Sequence, residues 1–368
     1  GFGGFLRDEK GDLQPIRTIG LSDTAMAFAV PALNAAFTAE KGEGGTWAGK
    51  WTTGGKTTDL VIKPTAPADV STSFVKFDDG RWTQFRCLGT GSPTILLDYG
   101  AGGSMNSWTD VFEPLSKISQ TCMFERAARG LSDPGPLPRD VNNAVADIDA
   151  FLRAAKITTP IVLAGHSMAS YHVRQFANLH PDKVAGLVLV DPSGDGQGAR
   201  FAELIPNFKE LVPDNVEEPM VATCATGLRN LLPSLARSST PDDLDPLIGK
   251  CGGKDPDRAE ATLSEIVSME VVSTNELIAA RRSYGDMPLI VLTRGDYKKD
   301  MPPTFTAEAT AALKKVWTTM HTEMTALSTA GRHRVVPDAG HSIQRDQPQA
   351  VIDAVNEVVT AARAHPAP

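Results

Sequence analysis

One stretch constrains this 368-residue chain more than any other: Ile161-Val162-Leu163-Ala164-Gly165-His166-Ser167-Met168-Ala169-Ser170. An apolar run that stops at Gly-His-Ser reads as a buried strand turning sharply into a helix, with the hydroxyl of Ser167 pushed out at the turn. Such a turn displays a nucleophile. It holds the serine in a strained backbone conformation, and the positions two before and two after it must be small. Gly165 and Ala169 meet that need, since larger residues there would crowd the neighbouring strand. The same pentapeptide is also compatible with a turn that merely ends a strand, so its meaning rests on the rest of the chain.

Downstream, Val184 to Asp191 is a second apolar run ending in a carboxylate, and Pro288 to Asp296 is a third. Arg334 to His341 then delivers a histidine just past a short strand. The chain order Ser, Asp, His is one of three orders found among serine-hydrolase triads and differs from the other two. A serine hydroxyl needs a base within hydrogen-bond reach, and His341 is the candidate. His166 sits beside the serine and is expected to pack or line the pocket. His172 and His180 fall on the following helix, and His321, His333 and His365 on surface or helix positions.

Residues from about 71 to 364 resemble the α/β-hydrolase family. The resemblance lies in Gly-His-Ser-Met-Ala at 165 to 169, Asp-Tyr-Gly-Ala-Gly-Gly at 98 to 103, Glu-Arg-Ala-Ala-Arg-Gly-Leu-Ser-Asp-Pro-Gly-Pro at 125 to 136 and Gly-His-Ser-Ile at 340 to 343. It looks closest to secreted bacterial esterase-like members with a Cys-x-Gly-x-Gly-Ser-Pro segment, here Cys87 to Pro93. The resemblance implies an α/β fold with a mostly parallel eight-stranded sheet, helices on both faces and a helical cap. It also implies cleavage of a carboxylic ester or lactone through a Ser167 acyl-enzyme, with no cofactor. The triad acid is Asp191 or, as the alternative, Asp296: most relatives carry it three residues after the glycine that follows the third run, where this chain has Lys298, while others supply it from the position of Asp191. Asp300 also departs from the usual spacing. Oxyanion donors are expected from the Met168 amide and from Ala101, with Gly102 as the fallback, because glycines there let an amide point inward. Tyr99, His166 and Met105 are expected to line the substrate pocket. Glu125, Arg126, Arg129, Ser132 and Asp133 are expected to order the loop beside the oxyanion turn.

In that fold the strands holding Cys87 and Cys122 are neighbours, and Cys224 and Cys251 share a separate helical segment. The pairing Cys87 with Cys122 and Cys224 with Cys251 would place the protein in the periplasm or outside the cell, whereas four buried thiols would suit a cytosolic enzyme. The chain does not begin with methionine and shows no signal peptide, which suggests a mature or trimmed form with Gly1 to Gly4 as processing ends. A formal charge of −8 argues against nucleic acid as a partner. No apolar run approaches the roughly 20 residues of a membrane span. No His or Cys pair has structural-zinc spacing, and Gly100 to Gly103 lacks the third glycine of a dinucleotide fingerprint.

The domain boundaries read as a small antiparallel β module with its linker over 1–70, core over 71–195, helical cap over 196–286 and core again over 287–368. Within the module, β-like runs fall at 15–20, 25–30, 35–39, 46–51 and 57–62. Two other functions remain open. An aminopeptidase on the same triad would want a carboxylate for the free amine, from Glu203, Glu217 or Glu265. A binding protein on a hydrolase scaffold is the second. Dehalogenase or epoxide hydrolase chemistry would need an aspartate at 167.

Overall fold

The computed structural model describes residues 2–7, 13–30, 33–43, 46–62, 73–205, 208, 256–300 and 305–364. The N-terminal strands form one antiparallel meander, β1 (Phe2–Arg7), β2 (Leu13–Leu21), β3 (Ala25–Val30), β4 (Ala35–Lys41), β5 (Trp47–Thr53) and β6 (Lys56–Ile62), each paired with the next. Alternation drives it: Ala35, Phe37 and Ala39 are buried on β4 while the residues between them face solvent. Gly49 separates Trp47 from Trp51 because a Cβ there would stand 2.0 Å from the Thr38 carbonyl oxygen. Strand β1 was not expected; Gly3 and Gly4 hide it, yet Phe5, Leu6 and Arg7 pair with Pro15, Gln14 and Leu13.

The second sheet has eight strands: β7 (Ser73–Lys76), β8 (Trp82–Leu88), β9 (Ile95–Asp98), β10 (Thr121–Phe124), β11 (Ile161–His166), β12 (Val184–Val190), β13 (Leu289–Arg294) and β14 (Gly331–Val336). Their order is β14-β13-β12-β11-β9-β10-β8-β7, parallel from β14 to β10 and antiparallel where β8 joins β10 and β7 joins β8. Strands β9, β10, β11 and β13 are buried at every position, as expected where helices cover both faces. Side chains alternate between two cores. Leu96, Leu163, Leu187 and Val291 pack on one face with α2 (Val141–Ala154), α3 (Ala169–Leu179) and α7 (Ala307–Thr325). Leu97, Val162, Val188 and Leu292 pack on the other with α1 (Thr109–Ser116), α8 (Ile343–Asp346) and α9 (Pro348–Ala364). Helix α9 shows why it docks: Val351, Ala354, Val355, Val358, Val359 and Ala362 form one buried stripe at helical spacing.

Between β12 and β13 lie α4 (Gln197–Leu204), α5 (Pro256–Glu270) and α6 (Val272–Ala279). The last two are parted at Val271, where two adjacent β-branched valines weaken the helix and the Thr274 hydroxyl donates to the Met269 carbonyl. Residues 209–255, with most of the expected cap, Glu217, Cys224 and Cys251, lie outside the described residues, as do the expected linker and His365. Cys87 and Cys122 face each other across β8 and β10 and are joined by a disulfide. Among the described residues no helix is long and apolar enough to cross a membrane.

Candidate active site

Strand β11 ends at His166, and Ser167 takes a left-handed φ of +54°. A non-glycine residue there stores roughly 1–3 kcal/mol, so surrounding bonds must hold it. The Ser167 amide donates to the Val190 carbonyl at 3.0 Å, and the Ser193 and Ser170 amides both donate to the Ser167 carbonyl at 3.0 Å. The crowding that requires Gly165 comes from α3 rather than from the neighbouring strand: a Cβ at 165 would lie 2.9 Å from both the Ala169 carbonyl oxygen and Val173 Cγ2. Ser167 is partly exposed between buried neighbours, so its hydroxyl is the group presented.

His341 follows β14, and its Nε2 lies 2.9 Å from Ser167 Oγ. Its Nδ1 lies 2.6 Å from Oδ2 of Asp191, which follows β12 and is fully buried with φ +42°. A carboxylate only accepts, so Nδ1 carries the proton and Nε2 presents its lone pair to the serine. Burial alone would raise the Asp191 pKa, but the Arg294 charge and the His341 hydrogen bond outweigh it and hold the carboxyl well below the usual range. Arg294, at the end of β13, surrounds Asp191. Its amide donates to Oδ1 at 3.0 Å, and its Nε stands 2.7 Å from Oδ2, an ionic contact with the N–H aimed off the oxygen. Trp317 Nε1 also donates to Oδ1, at 2.9 Å, and the Arg294 guanidinium lies over its ring at 4.8 Å. Arg294 Nη2 approaches His341 Nδ1 at 3.1 Å; with the proton on Nδ1 this is a contact between two donors.

Asp296 and Asp300 serve the loop instead of the ring. Asp296 Oδ1 accepts the Lys298 amide at 2.9 Å, its own amide donates to the Ala339 carbonyl at 3.0 Å, and Asp300 accepts the His341 amide. His166 donates from Nε2 to the His341 carbonyl at 2.9 Å; burial and the neighbouring His341 ring push it down to about 3, so it is neutral at pH 7.

The Tyr99 to Gly102 loop lies against the serine, for a Cβ on Gly100 would stand 3.0 Å from Ser167 Cβ. Ala101 is exposed and Gly102 has φ +67°, while Met168 opens α3. Tyr99 departs from the expected pocket role. It is fully buried, its hydroxyl donates to Glu125 Oε2 at 2.8 Å and accepts the Arg126 amide at 2.9 Å, so it supports the loop from beneath. Met105 and His166 are buried too, the Met105 amide donating to Glu125 Oε1 at 3.1 Å. Ser132 Oγ donates to the Glu125 carbonyl at 2.8 Å, and Asp133 Oδ2 accepts the Trp82 amide at 2.8 Å. Neither Arg294 nor Trp317 was expected at the site. A charged residue closing an apolar strand was the only local sign of the first, and nothing along the chain marked the second.

A family model described as alpha/beta hydrolase fold matches residues 93–348. Among solved structures, a thermophilic esterase from Thermogutta terrifontis aligns with a TM-score of 0.51 and 20% identity over 80% of this chain and 99% of that one. An enol-lactonase from Burkholderia xenovorans aligns with a TM-score of 0.50 and 16% identity over 78% of this chain and 99% of that one. Among curated proteins, a (lyso)-N-acylphosphatidylethanolamine lipase from Mus musculus is 30% identical over 104 residues, 27% of this chain and 30% of that relative. The chain thus spans less than a third of that relative's length.

Proposed function

The chain belongs to the α/β-hydrolase family, and on that premise we propose that it is a serine hydrolase cleaving a carboxylic ester or lactone through an acyl-enzyme on Ser167. The observation that carries the reading is the unbroken hydrogen-bonded path from Asp191 through His341 to Ser167, 2.6 Å and then 2.9 Å. His341 Nε2 takes the Oγ proton as Oγ bonds to the substrate carbonyl carbon. The resulting oxyanion is received by the Met168 amide at the head of α3 and by the Ala101 amide, with Gly102 the alternative second donor. His341 then gives the proton to the leaving alkoxide, and a water repeats the sequence to release the acid. Asp191 stays ionised throughout and holds the ring in the required tautomer.

Residues 196–286 act as the cap in this reading, and the Cys87–Cys122 disulfide supports an oxidising compartment, the periplasm or the cell exterior. The aminopeptidase alternative loses one of its carboxylates, since Glu265 is buried between two arginines, and Glu203 is exposed on α4.

The test is hydrolysis of p-nitrophenyl esters of increasing acyl length by the unaltered protein and by Ser167→Ala. Turnover lost in the variant supports the mechanism, and the preferred length sizes the acyl pocket. Equal turnover in both would refute Ser167 as the nucleophile, and none in either would favour a binding scaffold.

A further inference from the structure

The carbonyl of the peptide joining Gly100 to Ala101 is held twice, by the Gly103 amide of its own loop at 3.2 Å and by a side chain from another part of the fold. Arg126, just past β10, is buried with its guanidinium 4.1 Å from the Tyr99 ring centroid. Its Nη1 donates to the Tyr99 carbonyl at 2.6 Å and to Asp98 Oδ1 at 2.7 Å, and its Nη2 to the Gly100 carbonyl at 3.2 Å. In a trans peptide the C=O and the following N–H point opposite ways. A Gly100 carbonyl drawn to Arg126 therefore sends the Ala101 N–H to the other side of a loop that touches Ser167. Arg126 is itself held from outside the sheet. Glu265 on α5 accepts from its Nε at 3.0 Å and its Nη2 at 3.2 Å, and from Arg129 Nη2 at 3.3 Å. Asp98 braces the opposite side, its Oδ2 2.7 Å from His172 Nδ1 on α3.

We propose that Glu265 is a positioning residue for the reaction: by holding Arg126 it fixes the direction of the Ala101 amide, so the oxyanion site is complete only while α5 is docked. This rests on the serine-hydrolase reading above. The forked guanidinium is what makes the link, because one planar group reaches a carboxylate on α5 and two carbonyls of the loop together. Burial alone would raise the Glu265 carboxyl, but Arg126 and Arg129 outweigh it and bring it down to about 2, so the anchor is charged at any working pH.

Glu265→Gln keeps the shape but puts an NH₂, which cannot accept, against Arg126 Nε or against Arg126 Nη2 and Arg129 Nη2. The expected result with the best p-nitrophenyl ester is a kcat lower by about 10- to 100-fold, part of the ~10²–10³ that losing an oxyanion donor costs. KM should stay within about threefold. Affinity for an alkyl trifluoromethyl ketone, whose hemiketal oxygen uses the same amides, should weaken by the same factor as kcat/KM. A purely structural role would lower Tm and leave kcat per folded molecule intact; that result, or a fall in kcat with inhibitor affinity unchanged, overturns the proposal. Should Glu265→Gln not fold, Glu265→Asp, which keeps the charge and shortens the reach, carries the same measurement. If Ser167→Ala is inactive while Glu265→Gln runs at full speed, only this inference fails; if Ser167→Ala stays active, the reading beneath it fails.

Discussion

Replacing Asp191 by Asn tests the assignment of the triad acid, because every group around that carboxylate is a donor. His341 Nδ1 and Arg294 Nε face Oδ2, while the Arg294 amide and Trp317 Nε1 face Oδ1. An asparagine must aim its own NH₂ at one of these pairs. Aiming it at Arg294 N–H and Trp317 N–H sets donor against donor, so the amide turns toward His341, the one partner able to become an acceptor by changing tautomer. The proton then sits on Nε2, facing Ser167, and the base is lost. Triads with that exchange lose about 10⁴ in kcat, or about 5 kcal/mol at 1.36 kcal/mol per decade. Asp296→Asn keeps the Oδ1 acceptor for the Lys298 amide and should change kcat by less than about threefold, within the range of a surface substitution. Steady-state ester hydrolysis, corrected for the folded fraction by thermal melts, reads both variants. A loss in Asp296→Asn as large as that in Asp191→Asn would refute the reasoning.

Arg294→Met leaves Asp191 buried without its cation, and removing one partner of such a pair costs about 3–5 kcal/mol, which urea denaturation would register. A loss below about 1 kcal/mol, the scale of an exposed pair, would show that the contact does not hold the site together. Acid should weaken the fold earlier than its carboxylates alone would dictate. His166 at about 3 and His321 at about 4 stay neutral in the folded chain while the unfolded chain protonates near 6.5, so stability falls as pH drops through that window, by about 2–3 kcal/mol for each histidine at pH 4.5. Glu265 and Asp191 act lower: their depressed pKa values contribute stability that is whole above about pH 4.5 and lost only as pH falls further. Equal denaturation midpoints at pH 7 and 4.5 would contradict neutral burial of the two rings. Cys87→Ala with Cys122→Ala opens a bridge between residues 35 apart and should cost about 3–4 kcal/mol by loop entropy, seen as a lower Tm than that of the unaltered protein under non-reducing conditions.

What could be read along the chain follows from how far each interaction reaches. Strands β11, β12 and β13 were legible because a parallel strand buried on both faces writes itself as an uninterrupted apolar run. Ser167 and His341 were legible because each is set by its own turn. Asp191 and Asp296 could not be separated that way, since both follow strands and both carry carboxylates. What separates them is what lies opposite: Asp296 turns Oδ1 to the amides two and three residues ahead, a local turn that Asp favours on its own, while Asp191 meets a ring 150 residues away.

The same distance hid Arg294 and Glu265. Arg294 closes an apolar strand like any polar end residue until the fold brings Asp191 beside it, 103 positions earlier. Glu265 reads as one more acid on an amphipathic helix, and only the 139-residue separation from Arg126, closed in the fold, turns it into a buried partner of the loop beside Ser167. The Asp191–His341–Ser167 path needs only strand ends to assemble, whereas the amide expected to receive the oxyanion is braced by a helix from a different segment. A chain that folds its sheet but loosens α5 should therefore keep its serine, histidine and aspartate in line and still turn over slowly.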